Sequence, residues 1–362
     1  MARLGDICEI LNGYAFKSEK YISSGIRIIR IANVQKGYIE DTAPAFYPID
    51  TPDIEKYTLY EDDLLISLTG NVGRVALLKK EFLPAALNQR VACLRLKNGV
   101  PYDKSFLYCF LNSDYFENKC IQSAKGVAQK NMSTEWLKEY EIPDFSLVEQ
   151  REIATILNKV SELIVARTQQ LSTFDDIVKS RFIELFGDPV LNSKNFITKK
   201  GIDLFKISNG KAVPNDKRFE SGIPAYGGNG ISWYTDDVLY DKDTIVIGRV
   251  GFQSGNVHLV NGPVWITDNA MYISEFYDDS LSLVFLCELM EQIDFTKQQD
   301  AGDLKKVTQK PFMEMEYILP PKKLQYDYMA FVEQTDKLKF EVKEALEKLE
   351  TLKKSLMQQY FG

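Results

Sequence analysis

The 38 residues QREIATILNKVSELIVARTQQLSTFDDIVKSRFIELFG (Gln150–Gly187) have a counterpart of equal length, QYDYMAFVEQTDKLKFEVKEALEKLETLKKSLMQQYFG (Gln325–Gly362), displaced by 175 positions. Each opens on Gln, runs through charged helix-forming sequence with no internal Gly or Pro, and closes on Lys-Ser followed by a Phe-Gly ending. A pair of such stretches, each following a long piece of mixed sequence, reads as a tandem duplication. In the first, Ile153, Leu157, Val160, Ile164, Arg167, Leu171, Phe174 and Val178 recur at alternating steps of four and three, a heptad seam interrupted once by charge. In the second, Val332, Val342, Leu346, Leu349, Leu356 and Tyr360 keep the same register, with Thr335, Lys339 and Lys353 on the same line. At about 1.5 Å per residue each is a rod of about 55 Å. A rod of this kind is marginal alone and needs an apolar partner. The simplest pairing is an antiparallel coiled coil with a globular unit at each end and a pseudo-twofold axis between them; the other is that each rod packs only on its own unit.

The expected organisation is therefore α+β, with strand-rich units at 1–149 and 188–324 and spacer helices at 150–187 and 325–362. In the first unit IRIIRIANV (Ile26–Val34), DLLISLT (Asp63–Thr69), RVALLKK (Arg74–Lys80) and QRVACLRL (Gln89–Leu96) are short β-branched runs separated by Gly, Pro and Asn. The second unit repeats them as TIVIGRV (Thr244–Val250), NVHLV (Asn256–Val260) and NAMYIS (Asn269–Ser274). YEDDLLISLTGNVG (Tyr60–Gly73) faces YDKDTIVIGRVGFQSG (Tyr240–Gly255), in each case a polar turn, a strand and a glycine-punctuated turn. A helical stretch follows (Lys104–Cys120, Leu281–Phe295), then a loop with Gly and Lys (Ser123–Lys130, Asp300–Lys306), then a proline-containing extended exit. The frame is kept while the side chains diverge, as expected of two units that read different targets.

The net charge of −7 argues against nucleic acid only if the acid is concentrated, and it is not. Lys20–Ile39 holds Lys20, Arg27, Arg30 and Lys36 with no carboxylate, and Leu64–Lys80 holds Arg74, Lys79 and Lys80 likewise. Thr244–Thr267 is also free of acid and contains Arg249 and the single histidine, His258. Such windows suit phosphate-facing surfaces, and equally suit ordinary strands with solvated ends. The five cysteines form no CxxC pair, which reads as a reducing cytosol with no disulfide framework or zinc site. No secretory h-region or bilayer-length apolar run is present, so a cytoplasmic location without membrane association is expected.

Catalytic motifs are missing: there is no P-loop, no GxGxxG and no Asp/Asn-Pro-Pro-aromatic segment. Asp62-Asp63 precedes a strand and is expected to cap a turn rather than hold a metal, and His258 has no His or Cys neighbour. The glycines of Gly70-Asn71-Val72-Gly73 suit either a hairpin or backbone donors for phosphate, and Asn229-Gly230 is first a tight turn.

Taken in order, LGDICEILNGYAFKS (Leu4–Ser18), GIRIIRIANV (Gly25–Val34), DDLLISLTGNVGRVALL (Asp62–Leu78) and IPDFSLVEQREIATIL (Ile142–Leu157) resemble the specificity subunits of type I restriction-modification systems. The second unit resembles them through GIPAYGGNGI (Gly222–Ile231), DTIVIGRVGFQSGNV (Asp243–Val257) and DNAMYI (Asp268–Ile273), and departs where Leu324-Gln325 replaces Glu149-Gln150. The likeness covers essentially the whole chain and is expected to leave no room for long terminal extensions. It implies a non-catalytic protein whose two target-recognition domains each read half of a bipartite site in double-stranded DNA. It further implies that the helices space the domains and dock two modification subunits, which use S-adenosylmethionine to methylate adenine, joined by restriction subunits that use ATP and Mg2+. No cofactor, metal or catalytic residue is then expected in this chain. The candidate contacts are Arg27, Arg30, Lys36 and Arg74 in the first unit and Lys211, Arg249, His258, Lys305 and Lys306 in the second. Arginines would suit guanine edges and lysines phosphates. Two other readings remain: a two-headed protein-binding scaffold with a rigid spacer, and a carbohydrate-binding tandem using Tyr226, Trp233 and Tyr234, which requires those rings exposed in one groove.

Overall fold

The computed structural model describes residues 2–124, 131–278, 280–300 and 305–362. Most of the two Gly/Lys loops, 125–130 and 301–304, thus lies outside the described residues. The heptad stretches are 40-residue helices, Leu147–Phe186 and Lys322–Phe361, each starting three residues ahead of its Gln. The first starts early because Ser146 and Glu149 close a capping box. Glu149 N–H donates to Ser146 Oγ (3.3 Å) while Ser146 N–H donates to Glu149 Oε2 (2.8 Å). The second follows directly on Pro320-Pro321, whose missing N–H costs nothing at a helix start; the Pro321 carbonyl takes the Leu324 and Gln325 amides. The first helix stops at Gly187, which donates back to the Ile183 carbonyl (2.8 Å) at φ +71°.

Packing divides the chain into two compact units, residues 1–168 with 344–362 and residues 169–343, so both helices are shared between units. In the first unit Ile153, Ala154 and Leu157, from the start of one helix, share a core with Leu356, Met357, Tyr360 and Phe361, from the end of the other. In the second unit the converse ends meet: Val178, Phe182, Leu185 and Phe186 pack with Leu324, Tyr328, Met329 and Val332. Start against end within each unit is the antiparallel sense. The seam positions lie on the covered stripe. Val160, Val332 and Val342 are buried, and Ile164, Leu171, Phe174, Leu346 and Leu349 are half-buried. Lys339 sits on that stripe because Asp175 (2.8 Å) and Asp336 (3.6 Å) take its charge.

The repeated Gln is a latch between head and helix. Gln150 is fully buried; its Oε1 accepts from Asp103 N–H (2.8 Å) and its Nε2 donates to the carbonyls of Pro101 (3.2 Å) and Phe145 (2.7 Å). Gln325 does the same, accepting from Ser282 N–H (3.1 Å) and donating to Ser280 (2.7 Å) and Pro320 (2.9 Å). Asp103 and Ser282 are themselves the N-caps of the head helices Lys104–Leu111 and Leu283–Ile293, each accepting an amide at 3.1 Å. Both donors and the acceptor of each Gln are thereby used, as burial demands.

The main sheets of the two heads share one strand order. In the first, an antiparallel sheet runs Cys8–Asn12, Val91–Leu96, Leu64–Ser67, Val75–Leu77. In the second the order is the same, through Phe205–Asn209, Ala270–Phe276, Thr244–Gly248 and Val257–Val260. Beside each lies a second sheet, four-stranded in the first head and three-stranded in the second, with one parallel pair, Ile26–Ile29 with Ala85–Leu87 and Ile223–Gly227 with Trp265–Ile266. The strands are shorter than their sequence runs: Ile26–Val34 is strand only to Ile29, after which Asn33 turns the chain by accepting from Arg30 N–H (2.9 Å). The expected helix Lys104–Cys120 is broken at Asn112-Ser113, where Ser113 caps a second helix, Asp114–Ser123, by accepting from Phe116 N–H (3.1 Å).

Among the described residues no helix is long and apolar enough to cross a membrane. All five cysteines are buried free thiols, and burial pushes Cys8 up to about 12 and Cys109 to about 11.

Candidate nucleic-acid interface

Three segments converge at the same edge of each head. The first is the exit of the leading strand, where Gly13 and Gly210 press against backbone at Leu87-Asn88 and Ile266-Thr267 with no room for a side chain. Tyr14 (48% exposed) and Lys211 (exposed) follow them at equivalent places, their backbone N–H groups donating to the carbonyls of Leu87 and Ile266 (2.9 Å each). The second is the glycine turn, which joins Leu64–Ser67 to Val75–Leu77 in one head and Thr244–Gly248 to Val257–Val260 in the other. The third is the approach to the long central strand: the Arg90 carbonyl accepts from Leu68 N–H (3.0 Å), and the Asn269 carbonyl accepts from Arg249 N–H (3.0 Å). The chain beyond each Gly/Lys loop returns to this edge, with Asn131 bridging Thr69 and Lys306 bridging Val250.

In the first head the four candidates separate by environment. Arg27 is ion-paired with Asp41, lies over the Phe46 ring (4.9 Å to the centroid) and is only 18% exposed. Lys36 is held by Asp114 Oδ1 and Glu117 Oε2, each at 2.6 Å, and this bond keeps Asp114 below the usual carboxylate range. Arg30 donates to the Ala43 carbonyl and lies over Tyr21 (5.7 Å). Acid absent from the sequence window is supplied in space by Asp41 and by the Asp114–Ser123 helix, so Arg27 and Lys36 are structural cations rather than free ones. Arg74 differs. Its guanidinium donates to Gln35 Oε1, and the Asn71 amide, turned with its oxygen inward, accepts from both terminal nitrogens at 3.2 Å. These partners are neutral, so they orient the guanidinium without cancelling its charge. Arg90 is exposed at the same edge, although in sequence it only opens a strand run whose apolar residues dominate the pattern.

In the second head Lys211, Lys305 and Lys306 are exposed, and Arg249 is half-buried with a long bond (3.5 Å) to the Asp268 carbonyl. Lys305 lies over the ring of Phe252 (5.4 Å), a residue 83% exposed at the tip of the turn. His258 does not fit a phosphate contact. Its Nε2 is buried without a partner, and the cavity of about 280 Å³ that it lines also carries Glu291 and Asp294. Asp294, held below the usual carboxylate range by the Thr296 hydroxyl, puts negative charge in that cavity, which sets His258 apart from the exposed cations as a phosphate contact. The aromatics of the carbohydrate reading do not converge as free faces: Tyr226 packs against a buried core cluster, and Arg218 covers Trp233 at 4.1 Å.

The acidic turn before the central strand has a structural role. Asp63 is 4% exposed, accepts from Tyr60 N–H (2.8 Å) and takes both arms of the Arg95 fork (2.8 and 2.6 Å). Among the described residues no group of three or more His, Cys, Asp or Glu is placed to hold a metal.

The family profile described as "Type I restriction modification DNA specificity domain" matches residues 1–173 and 194–353. The EcoAI specificity subunit of Escherichia coli is 39% identical over 168 residues, covering 45% of this chain and 28% of that protein. The EcoprrI specificity subunit of the same organism is 28% identical, covering 59% and 56%. The chain thus spans roughly a quarter to a half of these relatives' length. A putative specificity subunit, MjaX, of Methanocaldococcus jannaschii is 24% identical over 98% of this chain and 90% of its own. The solved S subunit from M. genitalium superposes over 100% of this chain and 95% of its own, with a TM-score of 0.63 at 19% identity. A structure reported for complex assembly and conformational transition of the type I R-M system gives 0.61 at 15% identity, covering 99% and 96%. At those identities the structures speak to the fold.

Proposed function

The chain belongs to the family of type I restriction-modification DNA specificity domains, and from that premise we propose that it is the non-catalytic specificity subunit of such a complex, reading a bipartite site in double-stranded DNA. The observation that carries this reading is that two heads whose main sheets have one strand order present different chemistry at the same edge. Tyr14, Arg74 and Arg90 stand in one where Lys211, Arg249, Phe252 and Lys305 stand in the other. A kept frame with a changed surface suits an asymmetric pair of half-sites. Arg74, oriented by two neutral amides, suits bidentate contact with a guanine edge, and the exposed lysines suit phosphates.

The long helices act in this reading as spacer and docking frame for two modification subunits, which use S-adenosylmethionine to methylate adenine, and for ATP- and Mg2+-dependent restriction subunits in the cytoplasm. Their outer faces support it: Leu163 and Val165 on one, Leu338 and Phe340 on the other, are apolar and exposed. Methylation and cleavage belong to those partners. The chain's own cysteines suit no nucleophilic role, since burial disfavours their thiolates.

Competition binding by the assembled complex, with each half-site scrambled in turn, tests the assignment. Arg74→Ala should cost about 1–3 kcal/mol in discrimination at one half-site and Arg249→Ala at the other. Equal losses at both halves, or no salt-sensitive duplex binding with partners present, would favour the two-headed scaffold instead.

A further inference from the structure

Phe252 is the most exposed large hydrophobic side chain among the described residues, at 83%, and it stands on a turn built to hold it there. Gly251 (φ +95°) and Gly255 (φ +98°) bracket the tip in left-handed backbone. Gly251 N–H donates to the Lys305 carbonyl (2.8 Å), and Gly255 N–H donates to the Gly248 carbonyl (2.8 Å). The Gln299 amide clamps the tip from beneath, donating to the carbonyls of Phe252 (3.0 Å) and Ser254 (2.7 Å). Gly255 lies so close to the Phe295-Thr296 backbone that no side chain fits. Every polar anchor thus fixes the backbone, while the ring alone projects.

The surroundings select the partner. Lys305 lies 5.4 Å from the ring centroid, Arg249 stands three residues upstream, and Lys306 bridges Val250. Among the described residues, the exposed Asp268 and Asp300 stand against these three cations. An apolar ring rimmed mainly by positive charge fits a polyanion that offers flat apolar faces, which describes stacked bases between phosphates. The equivalent turn of the first head has no such ring; Val72 there is buried (2% exposed) in the core. The longer turn of the second head therefore adds a feature that the shared frame does not need.

Resting on the reading of this head as a half-site reader, we propose that Phe252 is an aromatic wedge that inserts between adjacent base pairs of its half-site, with Lys305 and Lys306 on the flanking phosphates and Arg249 at the neighbouring base edge. Insertion unstacks one step and kinks the duplex, so selectivity comes from how easily that step opens. The half-site read by this head should then contain a pyrimidine–purine step at the wedge, whereas the first head reads by hydrogen bonds from Arg74.

The test uses the full chain assembled with its modification subunits and duplexes bearing its recognition sequence, with 2-aminopurine placed step by step through both halves. The wild-type complex should raise fluorescence at one step of one half only. Phe252→Ala should abolish that rise and weaken binding by roughly ten- to a hundred-fold, leaving discrimination at the other half unchanged; Phe252→Trp should restore both. An unchanged affinity and an intact rise in Phe252→Ala would refute the wedge while half-site reading stands. Loss of a protein partner from Phe252→Ala with DNA binding intact would refute it in favour of a protein contact. Absence of motif-dependent binding by the wild-type complex would remove the underlying reading and the wedge with it.

Discussion

Replacing Gln150 by Ala removes three hydrogen bonds from a fully buried position. Asp103 N–H, just ahead of the helix that Asp103 caps, is left without its acceptor, and the carbonyls of Pro101 and Phe145 lose their donor. An unsatisfied buried amide costs about 1–3 kcal/mol, and each neutral bond lost beyond it about 1 kcal/mol net, so the first unit should lose about 3–5 kcal/mol. Gln325→Ala should do the same to the second unit, because its bonds to Ser282, Ser280 and Pro320 are of the same kind. Gln150→Glu keeps the acceptor but sets a carboxylate against two carbonyls, so it should be worse than Ala at neutral pH and recover as acid restores a donor. Hydrogen exchange read by mass spectrometry separates the units. Gln150→Ala should strip protection from Lys104–Leu111 and spare Leu283–Ile293, and Gln325→Ala should do the reverse. A loss under about 1 kcal/mol, or equal loss of protection in both head helices from either variant, would refute the latch.

Four further outcomes follow from the placement of charge. Arg27→Ala should act through stability, lowering the melting temperature by leaving Asp41 without its partner, and any residual folded complex should keep its half-site preference. Lys36→Ala should leave the salt dependence of DNA binding unchanged, because Asp114 and Glu117 already hold that charge. Lys305→Ala should reduce the slope by about one, measured by titration against salt. Burial raises Glu288 above the usual carboxylate range while Tyr328 Oη donates to it (3.2 Å). The folded second unit therefore holds a proton that the unfolded chain releases first, so stability should fall as pH rises through the window just above the ordinary Glu value. Glu288→Gln, which keeps an acceptor for Tyr328, should lessen that slope in denaturant titrations at pH 4 to 8, leaving the part due to Glu291, which burial pushes up to about 7.

The helices were legible because a heptad repeat is local and periodic, and Phe-Gly and Gln mark both copies. Their true starts were also written in the chain, as Ser146 with Glu149 and as Pro320-Pro321, but the repeated Gln150 and Gln325 drew the boundary inward. The surface was less legible for a physical reason: a window free of acid in sequence need not be free of acid in space. Lys36 meets Asp114 across 78 residues, and Arg27 meets Asp41 across 14. Phe252 and Val72 follow similar glycine-rich contexts, yet one is 83% exposed and the other 2%. Only the path of the turn, fixed by Gln299 and Lys305 from a distant segment, decides which side chain reaches solvent.

The most direct measurement is methylome sequencing of host DNA with this chain intact, deleted, and carrying Arg74→Ala or Arg249→Ala. The account predicts that one bipartite adenine-methylation motif disappears on deletion, and that each arginine variant relaxes or loses a different half of it. An unchanged methylome on deletion of the chain, in a host whose modification subunits are active, would contradict it.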